Sequence, residues 1–502
     1  MVALVGHGAF YPDCLSDDAF ISFRYARNLV SGHGLVFNPG ETPVEGYTNF
    51  LWTLLMAGGM ALKIDPERFA RWLGCGLGAG AQVAAYLLAR RVLPHRPLLA
   101  ALPPFLLAAS SFFVVESIQG LETTLLACLL AWGVWAWSME NDIAPGGGGR
   151  LPWSGLLFGL AALTRPEGIL IFLVLGGLSL AAAGRRALNR QALHRWILFA
   201  LPVALHLGFR RWFYGEWVPN TFFAKTGGGL AQLMRGSLYV KQGLISIFPW
   251  VVLAMVALAA LRSRRGEISR RMLYGLTAVW LTSWAGVAAV GGDFKPTERF
   301  LVWTFPLLAV LAAAGWGAVL DRCGKAAAPL AWLGAGVLII LTFTASAQGR
   351  HFARLRPADL DRLRQAAAWL DRHLPLDAVL ATGPAGALPY YTGRSTIDMW
   401  GINDKVIGRR SVQGMGRGTA GHEKGDGAYV FSRQPDVILF TAARFSDIPF
   451  PEDLIPESAT FLSERELLAL PGFHTAYRWR SVLLRTTTLN FYQKRASRET
   501  AP

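Results

Sequence analysis

"FARWLGCGLGAGAQVAAYLLARRVLPHR", Phe69 to Arg96, is an apolar run closed abruptly by Arg90, Arg91, His95 and Arg96. As one helix such a run crosses the roughly 30 Å of hydrocarbon in a bilayer. An Arg-rich loop at its end marks the cytoplasmic side. The rest of the chain extends this reading. It is 53% hydrophobic and only 16% charged, with mean hydropathy +0.34, a balance that a soluble domain of this length does not carry. Further apolar runs lie near 97–115, 119–138, 167–184, 195–210, 240–261, 272–290, 300–319 and 327–346, with a shorter one at 152–164. The loops "RRALNRQALHR", "RSRRGEISRR" and "RCGK" between them are basic. The fold class expected is a polytopic α-helical membrane protein of about ten crossings. An even count places the first polar loop and everything after residue 346 on one, exoplasmic side. The net charge of +16 follows from these scattered loops. It forms no basic stripe with interleaved aromatics, so nucleic acid is not an expected partner.

Phe50 to Ile64 is apolar but short, and counting it as a crossing would turn "RRVLPHR" outward; an interfacial or re-entrant helix is expected. "PGGGG" at 145–149 reads as a cytoplasmic turn. No basic, apolar leader opens the chain, and Cys14, Cys75, Cys128 and Cys323 are too dispersed for a metal or redox motif. From residue 347 the texture changes. "PADLDRLRQAAAWLDRHL" has amphipathic helical spacing, and "DAVLAT", "STIDMW", "PDVILFTA", "YRWRSVLLRT" and "LNFYQKR" read as strands. Two parts are expected: a transmembrane part, 1–346, with its first exoplasmic loop over about 10–64, and a soluble exoplasmic α/β domain, 347–502.

The chemistry concentrates where apolar runs end. "LSDDAFISFRYARNLV" places Asp17 and Asp18 at a helix start, where Ser16, Asp17 or Asp18 suits a cap. A carboxylate fixed there can also act as a general base or ligand at the lipid boundary. It is followed by "GHGLVFNPGETPVEGYTNFLW", in which Gly32, Gly34, Gly40 and Gly46 alternate with His33, Asn38, Glu41, Glu45 and Asn49, a composition suited to backbone lying against a polar ligand. "LTRPEG" brings Arg165 and Glu167, either a site pair or a stabilised helix break. "RRWFYGEWVPNTFFAK" brings Arg210, Arg211, Trp217, Asn220 and Lys225, its aromatics fitting an interfacial belt. "GGDFKPTERF" brings Asp293, Lys295, Glu298 and Arg299. Carboxylates at one end and cations at the other suit a phosphate-linked lipid donor: the acid takes a proton from a hydroxyl, and the cations stabilise the departing phosphate.

The acidic pair, "GHG-VFNPGE-VEGYTNFLW", "LTRPEG", "YGEWVPNTFFAK" and "GGDF-P-ERFL" together resemble the GT-C superfamily of integral-membrane glycosyltransferases. They are most similar to the branch of terminal β-arabinofuranosyltransferases and pilin arabinofuranosyltransferases, and "YYTGRSTIDMWGINDKVIGRR" and "GHEKGDGAYVFSRQPDVILF" look like its soluble domain. The resemblance implies transfer of a sugar, arabinofuranose by analogy, from a polyprenyl-phosphate donor to a glycan, lipid or protein acceptor, at the exoplasmic face of a bacterial inner membrane. It puts the catalytic pair on Asp17, as base, and Asp18, as orienting group. Lys225, Asn220, Arg165, Glu167, Lys295, Arg299, His33, Asn38, Glu45 and Asn49 then serve the donor phosphate and sugar. His422, Lys424 and Asp398, with Glu423, Asp426, Asn403 and Asp404 nearby, are candidates for an acceptor, and equally solvated turn residues. Family members carry a transmembrane helix before the acidic loop; either this chain begins late or Met1 to Leu15 is the remnant of that helix. No cofactor is required, though a divalent cation is compatible with two carboxylates.

Competing readings are a GT-C enzyme using a polyprenyl-phosphate hexose, a flippase of lipid-linked sugars, and a scaffold presenting the soluble domain. A transporter would carry ionisable groups at mid-membrane and repeat symmetry. Here the charges lie at span ends and no repeat is evident, and a scaffold leaves Asp17 and Asp18 without a purpose.

Overall fold

The computed structural model describes residues 1–141, 151–260 and 267–495. The turn expected at 145–149 and the first half of "RSRRGEISRR" lie outside the described residues. Elsewhere the apolar runs are helical, with ends set by local chemistry. Pro66–Val92 starts with proline where a missing N–H is harmless, and the Asp65 side chain accepts from Arg68 N at 2.9 Å. Arg190–Tyr214 is capped by Asn189, which accepts from Ala192 N at 2.9 Å.

Two runs expected to be continuous are broken. Leu99–Ala109 and Ser111–Ile118 meet at 65°, and Gly229–Ser246 and Phe248–Ala259 at 88°. Pro249 opens the second helix of the latter pair and cannot donate back into the first. Among the described residues, four helices are long and apolar enough to cross alone: Pro66–Val92, Arg190–Tyr214, Arg270–Ala289 and Ala327–Ala345. The number rises to six if each bent pair is one span, and Phe50–Ala61, Trp153–Thr164, Glu167–Ala183 and Phe305–Leu320 are shorter apolar helices. At 12 residues, Phe50–Ala61 and Trp153–Thr164 each reach only about 18 Å.

Phe305–Leu320 is buried along nearly all its length and forms the centre of the bundle. It lies so close to Phe248–Ala259 that a Cβ on Gly315 would come within 1.8 Å of the Leu253 carbonyl oxygen, the small-residue contact by which membrane helices approach. Leu201 and Leu205, and Trp332, Leu333 and Ile340, are exposed on Arg190–Tyr214 and Ala327–Ala345, as suits helices facing lipid. The chain's start is helical over Val2–Ala9.

Ala347–His373 leads into a six-stranded sheet: β1 (Leu380–Thr382), β2 (Thr396–Asp398), β3 (Val437–Leu439), β4 (Phe445–Ser446), β5 (Tyr477–Leu483) and β6 (Thr488–Lys494). β1 runs parallel between β2 and β3, pairing Leu380 with Thr396 and Val437. β6 is antiparallel to β3, β4 and β5. β1, β2 and β3 are buried at every residue, as parallel strands covered on both faces must be. One apolar cluster joins the two parts: Phe20, Phe23, Trp52 and Met56 pack with Leu360, Leu363, Leu388, Leu489 and Phe491. It holds the helix Asp17–Val30 between bundle and sheet.

Candidate active site

Asp17 and Asp18 are the first residues of Asp17–Val30, where the exposed N–H groups favour negative charge. Ser16 occupies the cap position but makes no capping bond; its hydroxyl accepts instead from Lys295 Nζ at 2.6 Å. The capping reading of the motif thus gives way to one in which all three side chains face outward partners.

Asp18 Oδ2 lies 2.7 Å from Lys295 Nζ and 3.0 Å from Arg299 Nη1, and Arg299 Nε lies 2.8 Å from Asp293 Oδ2. Burial pushes the Asp18 carboxyl up, but Lys295 and then Arg299 outweigh it and hold it well below the usual carboxylate range. Its side chain remains one-third exposed while those of Lys295 and Arg299 are buried. The loop that delivers both cations bends at Glu298, whose φ of 54° is left-handed, a strained setting typical of functional loops. Burial pushes the Glu298 carboxyl up to about 7 against a hydrogen bond from the Ser246 hydroxyl.

Asp17 looks the other way. Its Oδ1 accepts from Ala387 N at 2.8 Å, and a Cβ on Gly386 would fall 2.0 Å from its backbone carbonyl and 2.6 Å from Oδ2, so the C-terminal domain presses on it through glycine. Burial raises its pKa, opposed by the Ala387 N–H and the charge of Arg444. Lys225 ends the helix Asn220–Lys225. Burial lowers its pKa, as does Arg299, while Asp293 and Asp18 oppose them. Among the described residues its ammonium has no ion-pair partner.

A second network adjoins the first. Arg165 lies 3.1 Å from Glu122 and 2.9 Å from Glu167, with its guanidinium 4.4 Å from the Phe300 ring centroid. Asn49 Nδ2 donates to Glu122 at 2.8 Å and to Ser22 Oγ at 3.1 Å. Glu116 accepts from Thr297 at 2.8 Å and Thr123 at 2.7 Å.

The remaining candidates serve as struts or lie apart. Glu45 is held by Arg210 at 2.6 and 3.1 Å, and its carbonyl accepts from Asn220 N at 2.9 Å. Asn220 Nδ2 donates to the carbonyls of Gly401, Ile402 and Asp404. Asn38 bonds Arg24 and both backbone groups of Thr396. Asp398 accepts from Trp400 N, Gly401 N and twice from Asn403; burial pushes it up to about 6 despite these bonds. Lys424 donates to the Arg410 carbonyl at 2.5 Å, Asp426 caps Gly427–Ser432, and His33 is exposed. His422 faces the cluster, its pKa held down to about 4 chiefly by burial, with Asp18 opposing and Lys225 adding to the shift.

Sequence reasoning took Ser16 only as a helix cap and passed over Glu116, Gln119, Glu122, Gly386 and Trp400. Gln119 is fully enclosed, both ends of its side-chain amide lack a partner, and its backbone carbonyl accepts from Ser16 N at 3.0 Å. The signal was present in "ESIQGLET", which sets polar groups inside an apolar run. Among the described residues no three His, Cys, Asp or Glu side chains group as a metal site.

Residues 49–209 match a family described as dolichyl-phosphate-mannose-protein mannosyltransferase, and residues 351–492 a domain family of unknown function. The chain is 29% identical over 367 residues to the terminal β-(1→2)-arabinofuranosyltransferase of Mycobacterium tuberculosis, covering 65% of this chain and 56% of that protein. It is 28% identical over 338 residues to the protein of the same name from Corynebacterium glutamicum, covering 59% and 47%. The chain thus spans about half the length of these relatives. Its fold matches ArnT from Cupriavidus metallidurans bound to undecaprenyl phosphate, with TM-score 0.63 at 14% identity over 100% of this chain and 98% of that one. It also matches the oligosaccharyltransferase AglB from Archaeoglobus fulgidus in complex with an inhibitory peptide and a dolichol-phosphate, with TM-score 0.54 at 13% identity over 100% and 74%. In sequence the chain is similar to terminal β-arabinofuranosyltransferases over about 60% of its length, and its helical fold, with helices apolar enough to cross a membrane, is that of ArnT.

Proposed function

We propose that this chain transfers arabinofuranose from a polyprenyl-phosphate donor to a glycan, lipid or protein acceptor on the exoplasmic side of a bacterial inner membrane, crossed about ten times. The observation that carries this reading is the meeting, at one helix start bearing two carboxylates, of Asp18 with the cations Lys295 and Arg299, with the charge of Lys225 close enough to act on Asp18. Asp17, with its raised pKa, takes the proton of the acceptor hydroxyl. The hydroxyl oxygen bonds to the anomeric carbon, and the carbon–oxygen bond to the phosphate breaks with its electron pair leaving on the phosphate. Lys225 meets that charge, joined by Lys295 and Arg299, which Asp18 keeps aligned and charged. Paired carboxylates pushed in opposite directions take different roles in this way. The named substrates of the relatives, the mannosyltransferase match and the lipid phosphates bound in the fold relatives support the choice of donor class.

The test is transfer from a synthetic polyprenyl-phosphoryl arabinofuranose by the purified full chain. Asp17→Asn should lower kcat by about 10²- to 10⁴-fold, the range for a lost general base, without loss of folding. Transfer left intact by both Asp17→Asn and Asp18→Asn would reject the assignment, and a wild type that moves the lipid without cleaving it would favour a flippase.

A further inference from the structure

Two side chains of the C-terminal domain each enclose a polar atom without a hydrogen-bond partner beside the cluster, although the His422 ring also engages the Ala420 backbone. His422 is 9% exposed and its Nδ1 has no hydrogen-bond partner; the Trp400 Nε1–H is likewise enclosed and unpartnered. Buried polar groups are almost always satisfied, so each such orphan calls for an explanation. The His422 ring lies edge-on to Phe294, with centroids 4.4 Å apart, and to Trp400 at 4.0 Å. Phe461 closes a third side at 6.2 Å.

This box adjoins the cations. Phe294 lies between Asp293 and Lys295 in the chain. A Cβ on Gly421 would come 3.2 Å from Lys225 Cε. The charges His422 feels are those of Asp18, Lys225 and Asp293. The loop is also fixed in place: Glu423 pairs with Arg235 at 2.8 Å and accepts from the N–H groups of Gly416 and Gly418 at 2.7 and 2.8 Å. Arg235 in turn donates to the carbonyls of Gly291 and Gly418. It is a standing wall of the site.

Aromatic surface with a few hydrogen-bonding edges is the lining that orients a small polar ligand. A neutral imidazole both donates and accepts, and an indole donates. Hydroxyls on a ring with apolar C–H faces match that set. We propose that the wall of His422 and Trp400 binds the transferred sugar through one of its hydroxyls, so that the domain of unknown function sets the sugar selectivity of the site. This rests on the glycosyl-transfer reading above. The bundle then holds the phosphate end of the donor, and the C-terminal domain holds the sugar end.

The experiment uses the full chain, a short-chain polyprenyl-phosphoryl arabinofuranose and its monodeoxy analogues. His422→Phe keeps the ring packing and removes the hydrogen-bonding edge; Trp400→Phe does the same for the indole. Each should lower kcat/KM about tenfold with the parent donor, the order of one neutral hydrogen bond. Inhibition by undecaprenyl phosphate, which lacks the sugar, should stay within twofold. One deoxy donor should be used about tenfold worse than the parent by wild type, and equally by wild type and His422→Phe. Parent-donor kinetics unchanged in both variants, or wild type and His422→Phe separated equally by every deoxy donor, would overturn the inference while leaving glycosyl transfer standing. Loss of undecaprenyl phosphate inhibition in the variants would show a packing role and also overturn it. A wild type inactive with every donor would remove both readings.

Discussion

Asp17 and Asp18 share a helical turn yet belong to different halves of the molecule. Asp18 is fastened to the bundle's loop at Lys295 and Arg299, whereas Asp17 is fastened to the C-terminal domain at Ala387. Successive helical residues point about 100° apart, so adjacent carboxylates can enter surroundings of opposite character. One meets two cations and is held ionised; the other meets a backbone amide in an enclosed site and has its pKa raised. A dipeptide repeat in sequence is therefore two chemical groups in space.

The largest expected break in this contrast is Gly386→Ala. The new methyl would meet the Asp17 backbone carbonyl at 2.0 Å, and backbone cannot swing aside. Transfer should fall about 10²-fold, the order for a misplaced reacting group, while undecaprenyl phosphate still inhibits. Equal loss of both would show that the two arms are not separable. A smaller effect is expected at Asp18. Asp18→Asn frees Lys295 from its carboxylate and leaves Arg299 with Asp293 alone, so undecaprenyl phosphate should inhibit severalfold more tightly, read as an inhibition constant; weaker inhibition would place Asp18 within the phosphate site itself.

The pH response sharpens the contrast further. Asp17 is raised above its ordinary 3.8 and acts ionised, so the acid limb of kcat/KM should lie above that value. Asp18 contributes to raising it, so Asp18→Asn should move the limb to lower pH. For stability the sign runs through Asp18, whose folded pKa is depressed: its contribution is full above the ordinary value and is lost as pH falls below it. Thermal unfolding of Asp18→Asn should accordingly be flatter on the acid side than wild type. The smallest effect is expected at exposed His33, where alanine should leave transfer within about twofold; a larger loss would add a third arm to the site.

Much of the architecture is legible in sequence because membrane burial demands long apolar runs and short strands demand β-branched ones. The five strands read from "DAVLAT" onward coincide with β1, β2, β3, β5 and β6, but β4 is two residues, Phe445–Ser446, too short for any pattern. The helix read from Pro357 actually begins at Ala347 and runs through that proline. Buried Phe352, Ala353, Leu360 and Leu363 on both sides outweigh one missing hydrogen bond. Among the candidate site residues, Asp17, Asp18, Lys225, Lys295 and Arg299 stand out because charge at the end of an apolar run is conspicuous. Asn38, Glu45, Asn220 and Asp398 share the same glycine-rich, polar texture and are engaged in holding loops together. Polar residues that brace a loop and polar residues that bind a ligand look alike until their partners are known. Glu116 and Glu122 escaped notice for the opposite reason, being hidden in hydrophobic sequence.

Arg24 is almost fully buried, and its guanidinium donates to the Phe37 carbonyl, to Asn38 Oδ1 and, across the joint, to the carbonyls of Pro389 and Arg394. Among the described residues no carboxylate forms an ion pair with it, and beyond the more distant charge of Glu41 it is balanced by oxygen dipoles from two stretches of chain more than 350 residues apart. Recombining this bundle with a foreign C-terminal module would strand that cation in a dry crevice. The boundary between the two matched families is thus a poor place to cut, and chimeras should survive only when residues 24 and 389–394 travel together.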